Sequence, residues 1–155
     1  MDAAVLCRRS GVTPMRYAIL ALAAALSITG GASAATTQAQ INEALRNNPQ
    51  VYNGLFTAAL IRHVTDTCPD VRPPGRLARV NYFLSLYNRA RGMGYTRAQI
   101  EAFVEDKAEQ ARMKSLVERH LQRAGVNPAS EAEVCAYART QIAERTALGR
   151  QLSER

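Results

Sequence analysis

The feature that most constrains this chain is a pair of cysteines, Cys68 and Cys135, which lie 67 positions apart and follow an export signal. Cysteines of exported proteins meet an oxidising compartment, where an even number of them favours pairing. We therefore predict one disulfide between Cys68 and Cys135. The alternative interpretation is two buried, unpaired thiols.

Residues 1–34 have the pattern of a cleaved signal peptide. Three arginines precede an apolar run at 18–28, which is shorter than the about 20 residues that span a bilayer. Small residues at 32–34 then form the kind of site that a signal peptidase recognises. The sequence predicts cleavage after Ala34 and a periplasmic or secreted protein, and both Met1 and Met15 are compatible starts. An uncleaved membrane anchor is the alternative.

The net charge of the chain limits the classes of partner that we expect. The chain has a net charge of +7, and removing residues 1–34 takes away three arginines and one aspartate, which leaves +5. A basic protein outside the cytoplasm meets anionic envelope polymers before it meets nucleic acid. We therefore expect an anionic envelope component or another protein as partner, no nucleic acid, no cofactor and no membrane span after cleavage. Residues 35–155 suffice for one domain.

The region after the leader reads as helical throughout. The segment 49–66 carries apolar residues on all sides, which is typical of a helix buried among others. Prolines make 67–75 irregular, and Leu77, Val80, Leu84 and Tyr87 recur at helical spacing after it. We predict an all-α, compact bundle of about five helices with 49–66 at its centre. The helices are predicted at 37–47, 49–66, 76–91, 97–124 and 131–148.

Local signals set several helix ends. Thr96 with Gln99, and Ser130 with Glu133, have the spacing of capping boxes. Gly125 is suited to end a helix in the left-handed conformation. The apolar stripe of the helix at 97–124 rotates midway, which predicts either a bend near 110–114 or different packing partners for its two halves.

Two clusters of polar residues could in principle form a catalytic or metal site. His63, Asp66 and Cys68 could form a metal or nucleophile site, but an oxidised Cys68 can supply neither a nucleophile nor a thiolate ligand. The carboxylates Glu101, Glu105 and Glu109 repeat along one helical face, and such runs are usually solvated. We therefore predict no catalytic, metal or cofactor residues.

The basic residues indicate a contact surface. From 71 to 100 there are six arginines and no acid. A hairpin of the third and fourth helices would bring the start of the third beside basic residues of the fourth, and it would place Glu109 level with Arg79. Guanidinium groups suit phosphates and carboxylates, whereas scattered, solvated arginines are the alternative. The candidate anion-contact patch comprises Arg72, Arg76, Arg79, Arg112 and Lys114.

The order of these features resembles a family of small exported bacterial helical proteins with two cysteines, classed as a domain of unknown function. The resemblance covers nearly all of the chain after the leader. It implies an export signal and a compact helical domain, with no activity, cofactor or partner to transfer. It rests on Asn53-Gly54-Leu55, the stretch from Arg62 to Cys68, Gly94-Tyr95-Thr96, the segment 100–107, Ala124-Gly125-Val126, Cys135, Glu144, Thr146 and Gly149.

From these observations we expect a non-enzymatic binding or envelope-associated module. The alternative is an enzyme or enzyme inhibitor that acts on anionic envelope polymers through the basic patch and Glu101 or Glu105. A cleft with two converging carboxylates would favour the enzyme. A surface of apolar groups rimmed by arginines would favour the binding module.

Overall fold

A computed structural model describes residues 36–155, which belong to one compact unit. The predicted signal peptide lies outside the described residues. Six α-helices and two short strands follow in order, and no described helix is long and apolar enough to cross a membrane. They are α1 (Gln38–Asn47), α2 (Pro49–Thr67), β1 (Val71–Arg72), α3 (Arg76–Gly92), α4 (Arg97–Glu105), α5 (Lys107–Arg123), α6 (Glu131–Ala143) and β2 (Ser153–Glu154).

Helix α2 is the centre of the bundle, as its composition predicts, because it contacts α1, α3, α5 and α6. Two cores form along it. Near its start, Val51 packs with residues of α1, α3 and α4, among them Leu45 and Phe103. Near its end, Val64 packs with α5 and α6 through residues such as Leu121 and Val134. One apolar helix thus serves two cores on different sides.

The predicted disulfide is present and joins two helices. Cys68 is the C-cap residue of α2, and Cys135 lies in the second turn of α6, with their Cα atoms 5.2 Å apart. Both residues are buried in the core that α2 shares with α5 and α6. The disulfide therefore closes a loop that contains α3, α4 and α5.

The predicted helix at 97–124 is two helices, and the break falls at Asp106 rather than at 110–114. Asp106 leaves the helical conformation, and its carboxylate accepts hydrogen bonds from the amides of Ala108 and Glu109, at 2.8 and 3.2 Å. An aspartate at the N-cap satisfies amides that would otherwise lack partners. The alternative prediction of different packing partners is confirmed, because α4 contacts α1 and α3 whereas α5 contacts α2.

The end of the chain also differs from the prediction. Helix α6 ends at Ala143 rather than near 148, and the 3₁₀ turn Gly149–Gln151 folds back against it. Strand β2 then pairs antiparallel with β1, an interaction that the sequence did not predict. The C-terminal segment is thereby tied to the loop that follows the disulfide.

The expected caps are largely confirmed. Thr96 and Gln99 form a full capping box, and Gly125 adopts a left-handed φ of 76°. Ser130 accepts from the amide of Glu133, but the Glu133 carboxylate accepts from the amide of Asn127, at 2.7 Å, rather than completing a box.

Candidate functional site

A long groove runs along α2 between α3 and α5. Its volume is about 1190 Å³, and it is partly open to solvent. It follows α2 from Tyr52 to Asp66, which is about 20 Å at the helical rise per residue. Ala78 and Phe83 of α3 form one wall, and Met113 of α5 forms part of the other. We call this feature the α2 groove.

The position of α3 creates the groove. Leu86 in the second half of α3 packs directly on Gly54 of α2, where an added Cβ would lie 2.4 Å from a Leu86 methyl group. The Tyr82 hydroxyl donates a hydrogen bond to the Gly54 carbonyl, at 2.9 Å. Before this contact, every residue of 76–85 except Tyr82 is exposed. The first half of α3 therefore projects from the body of the protein and forms one side of the groove. The second half packs against α2.

The groove explains why α2 carries apolar residues on all of its sides. Leu60 and Val64 are buried in the core with α6, whereas Leu55, Ala58 and Ile61 line the groove and stay half-buried. Leu55 and Ile61 also pack against the edges of the two cores. The prediction that α2 is central is confirmed, but one of its apolar faces is covered by no other helix of the described chain.

The groove contains two polar groups without hydrogen-bond partners in the described chain, the Tyr52 hydroxyl and Oε2 of Glu109. Glu109 is only 9% exposed, and its other oxygen pairs with Arg46 of α1. Burial, followed by the nearby Glu109 carboxylate, raises the pKa of Tyr52, so its hydroxyl stays protonated. Both atoms have almost no accessible surface, so they lie behind the surface that a ligand in the groove would contact.

The rim of the groove is basic. Arg79, Lys114 and Arg150 line it. Among the described residues Arg79 and Arg150 form no salt bridge, and Lys114 forms a long one with Glu118 of its own helix, at 3.9 Å. The acids of the groove are already paired: Asp66 lies 3.3 Å from Arg62, and Glu109 contacts Arg46 and Arg112. The accessible charge of the groove is therefore positive.

The structure divides the predicted anion-contact patch. Arg79 and Lys114 line the α2 groove from opposite sides, and Arg76 joins Arg79 on the outer surface of α3. Arg112 lies 3.7 Å from Glu109, and Arg72 belongs to the short sheet. Glu109 lines the groove together with Arg79, but its close partner is Arg46. Anion binding by the patch stays a prediction.

The apolar residues that mark α3 in the sequence face outward. Leu77 is 74% exposed, Leu84 54% and Val80 50%. The side chains that contact the rest of the protein are Tyr82, Leu86, Ala90 and, in part, Tyr87. With Arg76, Arg79 and Tyr87, the outer residues line a shallow depression of about 470 Å³, and Phe83 borders both this depression and the α2 groove. Apolar surface is thus continuous across the first half of α3.

The other chemical candidates do not come together as sites. Cys68 is in the disulfide, and Nε2 of His63 lies 3.1 Å from the Pro128 carbonyl oxygen. Glu101 pairs with Arg97 at 2.7 Å, and Glu105 is exposed on α4, outside the groove. Within residues 36–155 no group of three histidine, cysteine or carboxylate residues could hold a metal ion.

The fold and the groove define a small all-helical protein, closed by one disulfide, with an open apolar surface rimmed by basic residues. The chain belongs to a family of unknown function, DUF5333, whose model matches residues 43–153. This match confirms the resemblance seen in the sequence. No curated protein and no solved structure is significantly similar to the chain.

Proposed function

We propose that this protein is an exported, non-enzymatic binding module and that the α2 groove holds its ligand. The observation that carries the proposal is the half-buried apolar face of α2, which lies between two helical walls and is open to solvent. Exposed apolar surface of this extent is costly in water, and proteins retain it mainly where a partner covers it. The basic rim adds selectivity for anionic partners.

Site-specific photo-cross-linking tests this proposal. A photoreactive phenylalanine analogue in place of Ala58, which lines the groove, should give a discrete adduct in the cells that naturally produce the protein. The matched control replaces Ala136, which is exposed on α6 and outside the groove. We expect adducts from position 58 and none from position 136. Absence of an adduct at 58, or equal yields at both positions, would contradict the proposal.

A second candidate is an enzyme inhibitor or enzyme acting on anionic envelope polymers. The basic rim of Arg79 and Lys114 supports it. Catalysis would require a carboxylate pair, yet Asp66 and Glu109 are each paired with arginine, so support is stronger for binding than for hydrolysis. Protease digestion of the adduct formed at position 58 distinguishes the binding module from the enzyme or inhibitor. A polymer substrate would leave a glycan-sized mass on the peptide that protease does not remove.

The export part of the proposal has its own test. The protein, expressed in a bacterium from either start, should be recovered from the periplasm with Ala35 as its first residue, as read by intact mass. Replacing Ala34 with phenylalanine should block this processing, because signal peptidase requires a small residue there. Recovery of the unprocessed chain from the cytoplasm would refute export.

A further inference from the structure

We infer that the ligand of the α2 groove is an acidic amphipathic helix of another protein, an inference that rests on the binding function proposed above. The helix would lie along α2 with its apolar side against Leu55, Ala58 and Met113. Its acidic residues would face Arg79 on one rim and Lys114 on the other. The length of the groove and the charge of its rims each support this occupant.

The shape of the groove suits a helix better than a small molecule. Its 1190 Å³ exceeds the roughly 300–1,000 Å³ typical of small-molecule pockets. Its course of about 20 Å along α2 equals roughly four helical turns. A groove between two helices that presents apolar groups at successive turns is the surface on which amphipathic helices bind. An elongated, helical ligand would fill it.

Charge complementarity specifies the acidic character of the partner. No acid occurs between Asp70 and Glu101, so α3 contributes only positive charge to this side of the molecule. Across the groove, Lys114 and Arg150 contribute the same sign. Carboxylates of a partner would lie opposite guanidinium and ammonium groups on both rims. Such charge complementarity accelerates association and disfavours basic competitors.

The same charges disfavour a second copy of this chain. In a symmetric dimer through this face, the contact surface is the same on both copies, so arginines of one α3 would approach basic residues of the other. Like charges placed opposite each other across an interface are costly. A heterologous, acidic partner avoids this repulsion.

The outer face of α3 extends the contact surface. Phe83 and Arg79 belong both to the groove and to the outer depression with Leu77, Val80 and Leu84. A partner that crosses the first half of α3 would cover apolar residues on both of its sides. Such a partner would explain why the exposed first half of α3 carries apolar residues on two of its faces.

The test measures peptide binding to the protein purified from the periplasm. The probe is a fluorescent helical peptide of about 15 residues with leucines at helical spacing and flanking glutamates. A matched peptide carries lysine in place of each glutamate. We expect the acidic peptide to bind at least about tenfold more tightly at low salt, with the preference shrinking as salt rises.

Charge reversal connects this preference to the rim. Arg79→Glu combined with Lys114→Glu should reverse the preference toward the lysine peptide. Arg123→Glu combined with Arg145→Glu, the same charge change in two exposed residues outside the groove, should leave it unchanged. Circular dichroism of each variant verifies that the helices remain formed.

Four results would overturn the inference. They are equal binding of both peptides, no effect of the double reversal, binding to phosphatidylglycerol vesicles instead of to peptide, and self-association blocked by the reversal. The position-58 adduct separates failure of this inference from failure of the binding function. A protease-resistant lipid adduct there would refute the helix ligand and retain the binding module, whereas absence of any adduct would refute both.

Discussion

Replacing both Cys68 and Cys135 with alanine should lower the free energy of unfolding by about 4 kcal/mol. The disulfide closes a loop of 67 residues, and in the chain-entropy model a loop of this size restricts the unfolded chain by about that amount. This is a large share of the 5–15 kcal/mol that typically stabilises a small domain. Urea unfolding followed by circular dichroism measures the loss.

Reductant supplies the control for this prediction. It should lower the melting temperature of the wild-type protein and leave that of the doubly substituted variant unchanged. An intact mass that rises by two hydrogens on reduction of the wild-type protein identifies the bond directly. A double variant whose free energy of unfolding lies within about 1 kcal/mol of the wild type would contradict the structural role assigned to the disulfide.

Gly149→Ala should destabilise the protein by about 3 kcal/mol, through a steric clash at the end of the chain. A Cβ at this position would lie 1.7 Å from the carbonyl oxygen of Gln141 and 2.3 Å from its carbonyl carbon. Both are backbone atoms of α6, so no flexible side chain can move aside. The Thr146 hydroxyl also accepts from the Gly149 amide, at 3.0 Å, which fixes the turn against α6.

Gly92→Ala is the matched control for this clash. Gly92 is the last residue of α3, is exposed, and has no atom within 4 Å of an added Cβ. Alanine there should stabilise the protein by about 0.5–1 kcal/mol, because it reduces the freedom of the unfolded chain and favours helix. Equal effects of the two substitutions in urea unfolding would disprove the close contact between the 3₁₀ turn and α6.

Local chemistry in the sequence predicts much of this fold. The disulfide was predicted from two cysteines that follow a predicted leader, and the start of α4 from Thr96 and Gln99. The break at Asp106 also had a local signal that the prediction missed. Asp106 and Glu109 have the spacing of an N-cap residue and an acidic N3 residue, the pattern that starts a helix. The amphipathic stripe alone could not place this break.

The groove could not be read from the sequence, because it depends on contacts between distant residues. Periodicity identified Leu77, Val80 and Leu84 as one stripe of α3, but not which side of the helix would meet the body. That side is decided by the close approach of Leu86 to Gly54 on α2. Likewise, an apolar surface all around α2 predicts burial, and only the placement of α3 and α5 leaves one face open.

The charged residues show the same limit of prediction from sequence, because their pairing depends on contacts between distant residues. The absence of acids from 71 to 100 correctly marked α3 as a basic element. The hairpin register, however, took α5 as a continuation of α4, whereas the turn at Asp106 places α5 against α2. Glu109 therefore pairs with Arg46, a partner that no sequence pattern indicated.

The central claim is that the α2 groove holds a ligand, and native mass spectrometry tests it most directly. The protein is isolated without denaturation from the cells that naturally produce it, as wild type and as Ala58→Arg, which places a long cationic side chain in the groove. Ala136→Arg is the matched control on α6. We predict a bound species with the wild type and Ala136→Arg that is absent from Ala58→Arg. The unliganded mass alone in all three proteins, or the same bound species in all three, would contradict the account.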